Sequence, residues 1–324
     1  MEDILQEARK LNEEKYSKVI DFYGVCYISD YCINDCLYCG DRKSNKKERC
    51  RLSLKEFEKD LQGILDIGHR TICFLTGQDK SLTTDRLIDY LKIAENKRLE
   101  EIILNIPPKP IEEFKRIRKA ISNTPLQFRV FQETYNRKIY REQHLIGPKS
   151  DYYWRIESQT RALQVGFDTV GIGSLFGLNP NNDEEINELI KHANKLHKQF
   201  GKWPSTISIP RIQKAEGNKV YKIPASVNDK DYISYNAQLR LALPETKIII
   251  TSRETPKMKK QLRPYINIED LEVKPGPKGN YLLNVSFQNE VQDKRNAGEI
   301  LREIREQGFT PNFKIRKYLI SLLG

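Results

Sequence analysis

Three cysteines stand close together in Cys32-Ile33-Asn34-Asp35-Cys36-Leu37-Tyr38-Cys39, a C-x3-C-x2-C spacing. Thiolates so spaced can take three corners of a cubane iron–sulfur cluster. A 4Fe-4S cluster held wholly by protein needs four ligands, so here one iron is left open for a small molecule to chelate. Structural zinc is the competing assignment, and it needs a fourth ligand. Cys50 is the only nearby candidate for that role, since His69, His144, His192 and His197 lie elsewhere. Cys26, Cys50 and Cys73 read as small buried hydrophobes. All six cysteines fall in the first quarter of the chain, which argues against a disulfide scaffold for the whole fold and for metal or redox use.

The elements that must position this loop are visible as alternating patterns. Strand-like runs occur at Gly24–Ser29, Thr71–Thr76, Glu101–Asn105, Gln127–Phe131, Thr169–Ile172, Thr206–Ile209 and Lys247–Thr251, with an eighth near Leu271–Val273 or Leu282–Phe287. Helical periodicity lies between them, at Leu54–Ile67, Asp85–Asn96, Ile111–Ile121, Asp151–Val165, Asp183–Phe200 and Ala297–Gln307. This alternation predicts an α/β fold, a (βα)8 TIM-type barrel, complete or partial. No linker interrupts it, so residues 21–324 read as one catalytic barrel behind a helical lead-in over residues 1–20. Barrel chemistry sits on loops that follow strands. The cysteine loop runs directly out of the first strand.

The cysteine motif resembles that of the radical S-adenosylmethionine (SAM) superfamily, in which SAM chelates the open iron and is cleaved to a 5′-deoxyadenosyl radical. The resemblance implies cofactor contacts at Tyr38 and at Thr76-Gly77-Gln78, where the family usually reads Gly-Gly-Glu and Gln78 replaces the acid. It also makes Glu133 the acid that accepts from the SAM ribose, with Arg155 pairing to the SAM carboxylate; an ordinary surface Glu–Arg pair is the alternative.

Longer motifs narrow the resemblance. Phe131-Gln132-Glu133-Thr134-Tyr135, Gly147-Pro148-Lys149-Ser150-Asp151-Tyr152, Val170-Gly171-Ile172-Gly173-Ser174-Leu175-Phe176-Gly177-Leu178 and Thr206-Ile207-Ser208-Ile209-Pro210-Arg211-Ile212 resemble the aromatic amino acid lyase branch. That branch includes 2-iminoacetate synthase and the tyrosine and tryptophan lyases. It implies fragmentation of an amino acid in cofactor biosynthesis, with Arg211 and Ser208 clamping the substrate carboxylate and His144 orienting a phenol or moving a proton. A barrel-rim salt bridge would equally explain Arg211, tight barrel packing would explain Gly171 and Gly173, and simple exposure would explain His144. The hydrogenase maturase of this branch carries a second cluster on a C-terminal extension. No cysteine follows Cys73 here, so a one-cluster enzyme is expected, and Gly276-Pro277-Lys278-Gly279-Asn280-Tyr281 departs from the branch's Gly-Gly-Tyr loop. A related branch acting on a non-aromatic substrate, of the biotin-synthase or mutase type, is the alternative.

The chain has 324 residues and a net charge of +11. Its basic residues are spread and interleaved with Glu, as in residues 95–101 and 299–306, which reads as solvated helix faces rather than a nucleic-acid surface. A basic mouth attracting an anionic small substrate is the other use of such a charge. The apolar runs, such as Ile248-Ile249-Ile250, are too short to span a bilayer, and the acidic N-terminus lacks a signal core. A cytoplasmic enzyme is therefore expected, with a small-molecule substrate and, by the resemblance, a reductant such as ferredoxin or flavodoxin.

Overall fold

The computed structural model describes residues 2–215, 221–274, 276–278 and 288–313. A helix, α1 (Glu2–Tyr16), leads into β1 (Val19–Ser29), followed by α2 (Leu54–Ile67), β2 (Thr71–Thr76), α3 (Thr84–Glu95), β3 (Glu101–Asn105) and α4 (Ile111–Ala120). Next come β4 (Leu126–Arg129), α5 (Arg137–Gln143), a 3-10 turn at Pro148–Ser150, α6 (Tyr152–Ile156), α7 (Ser158–Gln164), β5 (Thr169–Gly173) and α8 (Asn182–Phe200). The remainder is β6 (Thr206–Ser208), α9 (Asp229–Ala242), β7 (Lys247–Ile250), α10 (Pro256–Leu262), β8 (Ile268–Asp270), α11 (Ala297–Glu306) and a short β9 (Thr310–Pro311).

Strands β1 to β8 pair in chain order, all parallel, and β1 closes the ring onto β2. The fold is a closed (βα)8 barrel. The length of β1 lets it serve three neighbours: β9 through Val19 and Ile20, β8 through Asp21–Tyr23, and β2 through Gly24–Ser29. Its alternation divides two cores. Ile20, Phe22, Cys26 and Ile28 point outward into the main core beneath the helices, while Tyr23, Val25 and Tyr27 point inward beside Cys73, Ile103, Ile249 and Ile268. Helix α2 shows the outer layer's logic: Ser53 and Glu56 form a capping box, and Phe57, Leu61, Ile64 and Leu65 make its buried stripe.

Three departures from the sequence expectations have physical causes. The eighth strand is Ile268–Asp270, just before the expected Leu271–Val273; its alternative, Leu282–Phe287, lies outside the described residues. Two of its three residues are acids, buried because Lys259 of α10 and Arg263, which caps that helix, pair with them. The helix expected over Asp151–Val165 breaks at Glu157, where the Ser158 hydroxyl donates to the Arg155 carbonyl at 2.6 Å in place of a helical amide. Helix α9 had no visible periodicity because its buried face carries Ser234, Asn236 and Arg240 among the apolar residues. Among the described residues no helix is long and apolar enough to cross a membrane.

Candidate active site

The cysteine loop leaves β1 at the barrel's C-terminal end and is held on both flanks. On one side, Ile33 N–H donates to the Gln78 carbonyl at 3.1 Å; on the other, Asp35 and Leu37 N–H groups donate to Ile146 and Gln143 carbonyls at 3.0 Å each. Cations brace it internally: Arg42 forks onto Asp35, Lys47 bridges Asp30 and Asp41, and Arg49 donates to four carbonyls of the loop. Gly77 is required by this docking, since a Cβ there would lie 2.3 Å from the Tyr31 carbonyl oxygen and 3.2 Å from Cys32 Cβ.

Cys32, Cys36 and Cys39 line one cavity of about 230 Å³. Cys32 Sγ accepts from Asn34 Nδ2 at 3.6 Å; Cys39 Sγ accepts from the Asp41 amide at 3.4 Å and from Gln288 Nε2 at 3.8 Å. Such N–H···S contacts stabilise thiolate ligands and tune cluster potential. Burial pushes the Cys36 thiol up to about 11 and raises Cys39 as well, so their thiolate forms depend on iron's positive charge. Among the described residues no three His, Cys, Asp or Glu side chains gather tightly enough for a single metal ion. A cubane instead spreads its thiolates over separate irons. Three cysteines around a shared cavity, with donors on two sulfurs, fit a three-cysteine 4Fe-4S cluster.

The opposite wall carries a buried charge cluster. Glu133 sits beyond β4 with a backbone φ of +74°, a conformation rare outside glycine. Its carbonyl is pinned by the Leu175 amide at 2.7 Å and the Ser174 hydroxyl at 2.9 Å. Its Oε1 accepts from Lys149 Nζ at 2.6 Å and Arg155 Nη2 at 2.9 Å. Burial alone would raise this carboxyl, but the Lys149 and Arg155 charges outweigh it and hold it at about 2. Glu133 Oε2 and Arg155 Nη1 have no protein partner among the described residues, and both side chains face the cavity. This pair is buried, not superficial.

Tyr38, also on the cavity wall, is fixed by His144. The imidazole Nδ1 lies 2.7 Å from the Tyr140 carbonyl and must donate to it, so Nε2 accepts the Tyr38 hydroxyl at 2.9 Å. Burial, aided by Lys149, depresses His144 to about 3. Rather than being exposed, it is a buried neutral strut behind the wall.

Arg211 and Ser208 do not reach the cavity. Arg211 forks onto the buried Glu254, donates to Asp229 at 2.8 Å and to the Val227 carbonyl at 3.0 Å, and lies over the Tyr232 ring. The rim salt bridge is what the structure contains. Ser208 Oγ donates to the Ile249 carbonyl at 3.1 Å, within the barrel wall. Packing likewise accounts for the two glycines: a Cβ on Gly171 would meet Thr206 Oγ1 at 2.5 Å and Arg129 Cγ at 2.7 Å, and one on Gly173 the Ser208 carbonyl oxygen at 2.4 Å.

Two cavity cations escaped the sequence reading, Arg253 just past β7 and Arg129 on the inner face of β4. Arg253 has no hydrogen bond or ion pair among the described residues, whereas its neighbour Glu254 is taken by Arg211. A usable signal existed, because Ser252-Arg253-Glu254 follows a strand.

The sequence profile described as Radical SAM superfamily matches residues 26–193. The 2-iminoacetate synthase of Escherichia coli strain K12 is 26% identical over 321 residues, covering 97% of this chain and 82% of that one. Crystal structures of HydG, a maturase of the [FeFe]-hydrogenase, superpose closely. One has a TM-score of 0.91 at 31% identity and covers 99% of this chain and 73% of its own. That of Carboxydothermus hydrogenoformans HydG has a TM-score of 0.87 at 33% identity, covering 97% and 72%. With three cysteines set around a cavity at the mouth of a parallel barrel and a matching profile over the same region, the chain belongs to the radical SAM superfamily and is a radical SAM enzyme, whose cofactors are a 4Fe-4S cluster and SAM.

Proposed function

We propose that this enzyme is a lyase that fragments an amino acid, a reading supported by its similarity to 2-iminoacetate synthase and the HydG maturases. One observation carries the reading: the three cysteines, the Glu133–Arg155 pair and the unpaired Arg253 guanidinium all line the same cavity. A bound cluster and SAM would supply the radical chemistry that begins fragmentation of the substrate.

The chain's own residues then have separable tasks. Cys32, Cys36 and Cys39 hold the cluster. The backbone at Thr76-Gly77-Gln78 receives the SAM amino group, Glu133 accepts from the ribose hydroxyls through Oε2, and Arg155 offers Nη1 to the SAM carboxylate. Tyr38 closes the wall beside the cluster, with His144 as its positioning residue. Arg253 takes the amino acid's carboxylate, fixing the substrate so that hydrogen transfer and bond cleavage occur in one geometry. Arg211 acts through Glu254, holding the loop that presents Arg253, and Ser208 supports the strand beneath it.

The test is anaerobic reconstitution with iron, sulfide, SAM and dithionite, followed by assay of 5′-deoxyadenosine and of cleaved side-chain products across the proteinogenic amino acids. Amino-acid-dependent deoxyadenosine with a matching fragment is expected. SAM cleavage that no amino acid stimulates would overturn the reading.

A further inference from the structure

The wall of the cavity carries a second guanidinium with an incomplete set of partners. Arg129 is 3% exposed and lines the cavity from within β4. Its stem runs through the space left by Gly171, and its guanidinium lies over the Tyr23 ring, 4.9 Å from the centroid. Only Nε has a hydrogen-bond acceptor, Gln127 Oε1 at 2.8 Å. That amide is itself fixed, because Gln127 Nε2 donates to Glu101, Thr169 and Ser205 at 3.2, 3.2 and 2.8 Å. The two Nη groups have no partner among the described residues, and they are not sealed from the cavity.

A buried cation without a counter-charge in contact is costly, and is retained where a ligand supplies the missing acceptor. The acids nearby do not fill the role. Glu101 makes no contact ion pair with Arg129: its carboxylate is bonded by Gln127 and feels the Arg129 charge only at longer range, and Asp270, which also faces the cavity, is tied to Lys259 Nζ at 3.0 Å and the Ser252 amide at 2.7 Å. Arg129 ends β4 and Arg253 stands three residues past the end of β7, strands three places apart in the ring, and both line the cavity. A substrate in the cavity can therefore meet two guanidiniums that come from different sides of the ring.

We infer, resting on the amino-acid lyase reading, that the substrate is an amino acid whose side chain ends in an anionic oxygen group, docked on Arg129 while its α-carboxylate is held by Arg253. Tyr23 supports the Arg129 plane from below, and Gly171 is the glycine that admits its stem. The preference is for charge and bidentate oxygen geometry, which a phenyl or indole side chain does not offer.

The experiment uses the reconstituted, SAM-loaded protein and reads equilibrium binding by calorimetry and by perturbation of the reduced cluster's EPR signal, neither of which needs turnover. The probes are L-glutamate against L-glutamine, and p-carboxy-L-phenylalanine against L-phenylalanine and L-tyrosine. The acid of each set should bind tighter by roughly tenfold or more, the scale of one charge-assisted hydrogen bond. Arg129→Gln should erase that preference and Arg129→Lys should keep part of it. Iron content and SAM binding of both variants report whether the site still assembles. Equal binding of acid and neutral probes, binding of none of them, or a preference that survives Arg129→Gln overturns the inference. Deoxyadenosine formation that no amino acid stimulates, measured separately with dithionite, would instead strike the lyase reading.

Discussion

At the scale of single residues, the site works by leaving selected groups unsatisfied amid a closely satisfied surround. Glu133 is held by two cations on one oxygen and keeps the other free, and His144 is a strut because both its nitrogens are taken. Both settings make stability depend on pH. The His144 pKa is depressed to about 3, below the ordinary imidazole value, so its contribution is complete above about 6.5 and is lost as pH falls from there through 3. Glu133 is depressed to about 2, so its contribution is complete above about 4.3 and is lost as pH falls through 2. Urea unfolding across a pH series should show stability falling first below 6.5 and more steeply below 4. Each such proton contributes at most about 1.4 kcal/mol per pH unit. His144→Gln should reduce the slope of the upper limb, which His69 and His192, both depressed to about 4 by burial, share; Glu133→Gln should reduce that of the lower one, shared with Asp35 and Glu56 at about 2; unchanged slopes would show that these groups are not buried as described. Residue types also explain what the sequence disclosed. The cysteine loop and Glu133 were legible because spacing and position after a strand are sequence properties. Arg211 was legible as a site candidate only in position, since its true partner, Glu254, comes from a different strand's end. Arg253 was hidden for the same reason: beside Glu254 it reads as half of a pair.

At the scale of elements, the barrel relies on charge where the sequence pattern alone would not form a strand. In β8, Glu269 and Asp270 are buried against Lys259 of α10 and its capping Arg263, while Asp293 closes onto Lys259 at 3.4 Å and Glu303 of α11 onto Arg263 at 2.6 Å. Lys259 is 0% exposed. Removing its charge strands the buried Asp270, while Arg263 and Arg295 still hold Glu269 and Asp293; a stranded buried carboxylate ordinarily costs about 3–5 kcal/mol. Lys259→Met should therefore lower the unfolding free energy by that amount in denaturant titration, whereas a shift below about 1 kcal/mol, the scale of exposed pairs, would contradict the account. This dependence is why β8 was misplaced by the sequence reading, while β2 and β3, whose apolar runs are bounded by turns, fell where periodicity put them. The break between α6 and α7 has a functional side. It ends a five-residue helix that carries Arg155 to the cavity wall, where Nε donates to the Phe131 carbonyl at 2.7 Å.

At the scale of the molecule, a closed parallel ring places the loops after β1, β2, β4 and β7 around one cavity. Closure of the ring stayed open between a complete and a partial barrel because the acidic eighth strand carries no apolar run, whereas the parallel strand–helix alternation was legible in the sequence. Which strand-end residues face inward was not, because inward orientation depends on register and on partners contributed by other loops. The net charge of +11 takes on a local sense here, since two of the cavity's guanidiniums lack a carboxylate partner among the described residues. The central claim is that Arg253 holds the amino acid's carboxylate in the space shared with the cluster and SAM. It is tested most directly by amino-acid-dependent 5′-deoxyadenosine formation in the wild type and in Arg253→Gln, with the cluster's EPR signal followed in both. The account predicts a KM for the amino acid raised roughly a hundredfold in the variant with the cluster signal intact. An unchanged KM in Arg253→Gln would contradict it.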